Sequence, residues 1–417
     1  MNSAHSFLLV AVVLAATSCG GAAQRPGKGT ESTTELRHHE IRAEDLEPGE
    51  DSSNGPRVIP RPDDAQLILP PGFTIERYAS GGFEKPRWLA QAPNGDVFLS
   101  DSEAGKIFLL RDDDHNGRSD TRFTYASGLT QPFGLAFFNG SLYVGNTDAV
   151  VRFEYRDGDT AARSAPVQII DLPAKGYNNH WTRNVAVSPD GQHLFVTVGS
   201  ESNVDVEDDP RRAAILRMKP DGGEMKVYAT GLRNPVGMTF NPTTKELWAV
   251  VQERDRLGDD LVPDYLAQIR EDGFYGWPYS YLGQREDPRH KGERPDLVAK
   301  ALMPDLLFQA HSSSLGLVFY DGKMFPEEYR GDAFVAFHGS WNRSKRTGYK
   351  VVRVKFRDGR PVGGYDDFCV GWMLGEDVKE VWGRPVGLLV LADGSLLVVD
   401  DGANCVWRIA YSPTPIH

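Results

Sequence analysis

"GRPVGLLVLADGSLLVVDDGANCVWRIAY", Gly383–Tyr411, decides the fold. An apolar run opens on a polar Gly-Arg-Pro. It turns at Asp393-Gly394, continues as a second apolar run, turns again at Asp401-Gly402 and closes on a third run that carries aromatic and basic residues. Short apolar runs bounded by Gly, Asn and Asp read as antiparallel strands joined by tight turns. A three-strand unit of this size has an apolar face that only a neighbouring unit can cover.

Working back from the C-terminus, the same pattern recurs. It is present in "SSLGLVFYDGKMFPEEYRGDAFVAFHGSW" closed by "YKVVRVKF", and in "RNPVGMTFNPTTKELWAVVQERD" closed by "YLAQIREDG". It is present again in "WTRNVAVSPDGQHLFVTVGS" closed by "AAILRMKPDG", in "QPFGLAFFNGSLYVGNTDAVVRFEY" and in "KPRWLAQAPNGDVFLSDSEAGKIFLLR". That makes six copies, their starts roughly 45 to 80 residues apart. Repeats of this length, each built of about four strands, are propeller blades. The sequence therefore predicts an all-β, six-bladed β-propeller over residues 66–412. No long segment of helical period competes with it.

The chain has 417 residues and a net charge of −12, which argues against a nucleic-acid partner, since phosphate binding calls for a basic face. Residues 1–19 read as an export signal. "FLLVAVVLAA", Phe7 to Ala16, is too short for a membrane span, and "ATSCGG" resembles a lipobox with Cys19 as the lipidated residue. This implies a periplasmic or cell-surface lipoprotein that meets the membrane only through its lipid. Residues 20–65 are polar with almost no apolar periodicity and read as a disordered linker. Cys369 and Cys405 fall in the propeller; a bridge between them and two buried thiols are both compatible with an exported chain.

In a propeller the innermost strands line a central channel, so polar residues just before each inner strand converge in space. Here they are Gln131, Asn179-His180 with Arg183, Arg233-Asn234, His311 and Arg384. "YNNHWTRNVAVSPDGQHLFVTVG", Tyr177–Gly199, crowds two Asn, a His, a Trp and an Arg in front of a plain hairpin. That crowding marks it as a candidate site. "DDDHNGRSD" spaces Asp112, Asp114, Asn116 and Asp120 like a calcium loop, but Phe123 stands where the bidentate Glu belongs, and a charged hairpin turn explains the string as well.

Several stretches are long and unusual: "NNHWTRNVAVSPDG", "GLRNPVGMTFNP", "QERDRLGDDLVPDYLAQIREDGFYGWPY", "FHGSWNRS" and "WGRPVGLLVLADGSLLVVDDG". In them the chain resembles the soluble pyrroloquinoline quinone-dependent sugar dehydrogenases, the glucose/sorbosone dehydrogenase family, in its pyranose dehydrogenase branch. The resemblance implies an oxidoreductase that passes hydride from an aldose or a sorbosone-like aldehyde to the quinone. It implies His180 as catalytic base and Arg233 beside the reacting carbonyls. It further implies Gln131, Asn179, Arg233, Asn234, Arg343 (or Lys345) and Arg384 at the cofactor, and Ca²⁺ on the main-chain carbonyls of Asp255 and Arg256. A His suits the base role because its unperturbed pKa, ~6.5, lies near working pH. Asn179 stands where the glucose-oxidising branch carries a carboxylate. "DGFYGWPY", Asp272–Tyr279, reads as a loop shaping the channel mouth. The electron acceptor, a quinone or a cytochrome, is left open. A propeller lactonase or strictosidine synthase-like hydrolase, or a non-catalytic NHL-type module, would use the same fold. The first expects Glu, Asn and Asp around the axis, and the second needs no His–Arg–Asn set.

Overall fold

The structure is a computed structural model that describes residues 34–174 and 180–413. Among these, six sheets of four or five strands form the six blades of a β-propeller. The one α-helix described is four residues long, Pro295–Val298. Blade 1 is Pro86–Gln91, Val97–Asp101, Lys106–Arg111 and Thr121–Ala126. Blade 2 is Leu135–Phe138, Ser141–Gly145, Ala149–Glu154 and Val167–Asp171. Blade 3 is Val185–Val187, Leu194–Val198, Ala214–Met218 and Lys226–Thr230, with Gly273–Phe274 added in parallel. Blade 4 is Asn234–Phe240, Leu247–Gln252, Tyr265–Gln268 and Leu306–Leu307. Blade 5 is Ser314–Phe319, Ala333–Phe337, Lys350–Val354 and Tyr365–Cys369. Blade 6 is Pro385–Val390, Leu396–Asp400, Cys405–Tyr411 and, from the other end of the propeller sequence, Phe73–Ser80. Phe73–Ser80 pairs with Cys405–Tyr411 from Phe73↔Tyr411 to Ser80↔Cys405, which closes the ring.

The second strand of a blade is covered on both faces by the adjacent blades, so it is apolar throughout rather than alternating. Every residue of Val97–Asp101, Leu194–Val198, Ala333–Phe337 and Leu396–Asp400 is buried. Fully burying each such apolar side chain contributes on the order of 1.5–3 kcal/mol. The recurrent Gly of the first strand has a steric cause. A Cβ at Gly134 would lie 2.6 Å from Asn184, at Gly237 2.2 Å from the Leu315 carbonyl, at Gly316 2.3 Å from the Val386 carbonyl and at Gly387 2.4 Å from the Arg87 carbonyl. Each is a contact with the first strand of the following blade, or the residues leading into it, at distances no real side chain tolerates. The Gly of the repeat is thus what lets the innermost strands crowd the axis. The hairpin after His180 forms as its alternation predicts, with Val185 opposite Val196 and Val187 opposite Leu194.

One expectation changes and one open alternative is decided. From residue 34 on, the stretch read as a disordered linker lies along the propeller. His38–His39 extends blade 5 beside Tyr365–Asp366, and Arg57–Val58 pairs with Glu380–Val381. Backbone pairing to exposed sheet edges needs no apolar periodicity, so composition alone hid it. Cys369 and Cys405 are both free and buried, packed in the apolar cluster between blades 5 and 6. Residues 1–33, with Cys19 and the signal segment, lie outside the described residues.

Candidate active site

A cavity of about 330 Å³ opens at the blade-entrance end of the channel, at the low end of the ~300–1,000 Å³ usual for ligand sites. The turns into the first strands of blades 1, 3, 4, 5 and 6 supply it, together with the turns out of the second strands of blades 4 and 5. Of the residues picked out in the sequence, His180, Arg233, Asn234, His311, Asp255 and Arg384 line it. Asn179 lies outside the described residues.

His180 is buried, 8 % exposed. Its Nδ1 lies 3.0 Å from both the Ser200 carbonyl and Ser200 Oγ. Ser200 Oγ already gives its proton to the Ser202 carbonyl at 2.6 Å, so it can only accept from the ring. Both contacts therefore place the proton on Nδ1 and the basic lone pair on Nε2. Burial first, and then the Arg233 charge, hold the imidazole well below its ordinary pKa and keep it neutral. Arg183 is fully buried and does not reach the cavity; its guanidinium donates to the carbonyls of His180 (2.8 Å), Thr182 (2.9 Å) and Pro173 (2.8 Å). It braces the His180 loop from behind.

Arg233 donates to the Asn203 carbonyl (3.1 Å), the Glu253 carbonyl (2.6 Å), Asn203 Oδ1 (2.8 Å) and Asp255 Oδ2 (3.2 Å). Asn203 in turn accepts from Trp277 Nε1 at 2.9 Å. The Trp of the Asp272–Tyr279 loop is therefore a buried prop under the arginine. Asp255 is pulled up by burial, but Arg233 and His311 outweigh this and hold it at about 2. Glu253, also on the cavity, is pushed up to about 8 because burial outweighs the Arg233 charge.

On the facing side, Asp401 binds Arg87 Nη1 and accepts from His338 Nε2 at 2.8 Å. Arg384 Nε donates to the His338 carbonyl at 3.2 Å. Arg87, His338 and Lys85 line the cavity and were not singled out from the sequence. Lys85 and Arg87 flank the Pro of the first repeat, at the position of Arg384-Pro385 and Asn234-Pro235, so aligning the four copies that carry this Pro exposes them. His338, Trp341 and Asn342 follow the second strand of blade 5, a position for which the repeat gives no polar signature.

Three expected contacts are not formed. Gln131 is exposed, outside the cavity lining, with Oε1 facing Thr147 Oγ1 at 3.4 Å. Arg343 is spent on the neighbouring loop, on the Asp259 carbonyl and on Asp260 Oδ1 at 3.0 Å. Nor do the carbonyls of Asp255 and Arg256 form an open calcium seat. The first accepts from Arg254 Nε (3.0 Å) and Asn203 Nδ2 (3.2 Å), the second from Arg254 Nη2 (3.2 Å). Arg254 itself is anchored on Asp287 at 2.8 and 2.7 Å, so a guanidinium already covers the oxygens assigned to the ion. Away from this cavity, Asp112, Asp114 and Asp120 bring carboxylate oxygens within 4.8 Å of one another; the same carboxylates cap the backbone N–H groups of their own turn, as a charged hairpin does.

The donor set of the cavity suits a flat, multiply anionic ligand. Three guanidiniums and an ammonium surround it, and two buried polar atoms of its lining residues, Arg87 Nε and Asn234 Oδ1, have no protein partner.

Comparison with known proteins agrees. Residues 135–340 match the family model for glucose/sorbosone dehydrogenase, and residues 293–412 a TrAA12-like model. The chain is 29% identical over 356 residues to an uncharacterized protein of Borreliella burgdorferi, covering 83% of this chain and 91% of that one. It is 27% identical to the pyrroloquinoline quinone-dependent pyranose dehydrogenase of Coprinopsis cinerea, over 58% of this chain and 41% of that protein's length. The quinone domain of that dehydrogenase, solved in its holo form, has the same fold at a TM-score of 0.71 and 21% identity, over 84% of this chain and 98% of the domain. A Trichoderma reesei AA12-family enzyme solved with calcium superposes equally, at 0.71 and 20% identity, over 83% and 97%. Residues 135–340 are thus similar to the glucose/sorbosone dehydrogenase family.

Proposed function

We propose that the protein oxidises an aldose or a sorbosone-like sugar aldehyde, in its hydrated form, with pyrroloquinoline quinone as hydride acceptor and His180 as general base. The observation that carries this is the fixed tautomer of His180 in a cavity ringed by arginines. The bound quinone supplies a two-electron acceptor. Arg87, Arg233, Arg384 and Lys85 would hold its carboxylates and carbonyl oxygens. His180 Nε2 takes the hydroxyl proton of the substrate while the same carbon gives up its hydride, so a C–H and an O–H bond break and a C=O bond forms. Ser200 keeps the imidazole in the reactive tautomer throughout, and Arg183 fixes the loop that carries it. Glu253, largely protonated near neutral pH, adds little negative charge to a site built for an anion. Calcium enters this reading through the Trichoderma relative; on this cavity the ionised Asp255 carboxylate would offer it oxygen, since Arg254 covers the two carbonyls.

The test is reconstitution of purified protein with the quinone and Ca²⁺, followed by dye reduction over a panel of aldoses and sorbosone. Turnover that needs the quinone is expected. A bound quinone with no turnover on any sugar would leave a binding module, and no quinone binding would favour the hydrolase. We further propose that Cys19 is lipidated and tethers the enzyme to a membrane: Cys19→Ala is expected to move it to the soluble fraction, and unchanged fractionation removes the anchor.

A further inference from the structure

Residues 46–58 belong to no blade, yet they are laced into the two loops that make one wall of the cavity. Gly49 N donates to the Leu257 carbonyl at 2.9 Å, and Asp51 Oδ1 accepts from Gly258 N at 3.2 Å. Ser52 Oγ donates to Asp259 Oδ1 at 2.5 Å. Three residues on, the segment changes partner. Asn54 N donates to the Trp341 carbonyl at 2.8 Å, its Nδ2 to the Ser344 carbonyl at 3.0 Å, and its Oδ1 accepts from Arg346 Nη2 at 3.0 Å. The backbones cross without room for side chains: Gly258 has a φ of 93°, and a Cβ there would lie 2.6 Å from Gly49 Cα.

What hangs from these loops is the site itself. The Gly258 carbonyl accepts from His311 Nε2 at 2.9 Å, and Asn342 Nδ2 reaches both His311 Nδ1 (3.0 Å) and the Asp255 carboxylate. Asp255 holds Arg233. The path from Asp51 to Arg233 is therefore a chain of direct contacts, and the Asn54 path reaches Trp341 and Asn342 the same way.

We propose that residues 49–54 act as a clamp that sets the spacing of the 255–260 and 340–346 loops, with Asp51 and Asn54 as positioning residues for the cofactor cavity. The clamp crosses from one loop to the other over a few residues, and it reinforces the direct contacts of Arg343 and Ser344 with Asp259 and Asp260 that already join them. Neither loop is fixed by a regular strand at that point. The ligand arm of the test rests on the functional reading above; the exchange arm does not.

Hydrogen–deuterium exchange on the full chain without added ligand is the first measurement. Asn54→Ala, and Asp51→Ala with Asn54→Ala, are expected to speed exchange at residues 255–260 and 340–346 by ~10-fold or more, the scale of losing a few hydrogen bonds, with the strands of blades 1 and 2 unchanged. Titration with pyrroloquinoline quinone and Ca²⁺, followed by absorbance, is the second; quinone affinity is expected to fall by ~10-fold. Glu47→Gln, which loses only an exposed pair with Arg285, is expected to change neither. Unchanged exchange in both loops overturns the clamp, as does exchange raised uniformly across all blades, which would mark a merely structural segment. Should the double variant fail to fold, the single Asn54→Ala decides. If the wild type binds no quinone, the functional reading falls while the exchange result still judges the clamp.

Discussion

The two sides of the cavity use the same residue types for different ends. On one side His180 rests its Nδ1 on a backbone carbonyl and a hydroxyl, and the nearest carboxylate, Asp255, is occupied by Arg233 and Asn342. On the other, His338 binds Asp401 directly, and Asp401 also holds Arg87. Both imidazoles are neutral: burial first, and then a neighbouring arginine, hold His180 well down and lower His338 to about 3. His180, with Nδ1 on a carbonyl, carries its basic lone pair on Nε2. His338, with Nε2 on a carboxylate shared with Arg87, ties that wall together and carries its lone pair on Nδ1. The difference lies in which atom each ring touches, not in the residue or its pKa.

The sharpest way to break this contrast is to remove each ring. His180→Ala is expected to cut turnover by ~10²–10⁴ with quinone affinity nearly kept, and His338→Ala to weaken quinone binding more than turnover of the bound form. Steady-state rates set beside quinone titrations read the split, and equal patterns in the two variants erase it. Asp401→Asn tests the brace. It leaves Arg87 beside a neutral partner in a fully buried spot, so a loss of about 3–5 kcal/mol in denaturant unfolding is expected, the usual cost of breaking a buried pair. A loss below about 1 kcal/mol would make the pair dispensable.

The smallest effect separates the sides by pH. Glu253, on the His180 side, is raised from 4.5 to about 8, so the unfolded chain releases its proton first and this group costs stability progressively as pH rises from about 4.5 to about 8. Asp401, on the other side, is held below its ordinary 3.8, so its contribution is present above that value and lost only in stronger acid. Melting curves between pH 5 and 8 should therefore flatten in Glu253→Gln and keep their slope in Asp401→Asn. An unchanged slope in Glu253→Gln removes the burial argument for that carboxyl.

The blades were legible because each repeat carries its own turn residues and continuous inner runs, and four of the six carry a steric Gly. Five of the cavity residues were legible because the repeat fixes where a blade begins, which puts His180, Arg233, Asn234, His311 and Arg384 at one mouth. The second cavity loop of each repeat varies in length and composition, and there sequence reasoning placed Arg343 on the site while the structure places Trp341 and Asn342. Gln131 sits at the expected repeat position, but blade 2 adds no residue to the cavity lining, and nothing local in the sequence marks that difference. The polar stretch before the propeller was missed for a different reason. Its partners are backbone groups and loop polars some 200–300 residues away in sequence, and such contacts leave no periodicity to read.

Ring closure by Phe73–Ser80 has a consequence for biogenesis. During synthesis the closing strand emerges among the first parts of the propeller, and its partner, Cys405–Tyr411, among the last. For the whole time in between, a long strand edge with exposed amides has no mate, the condition under which chains pair with the wrong neighbour. Its pairing is also among the most sequence-distant in the molecule, so ring assembly waits on the slowest loop to close. A nascent chain of this kind stays a five-bladed arc with two sticky ends until its final strand is released.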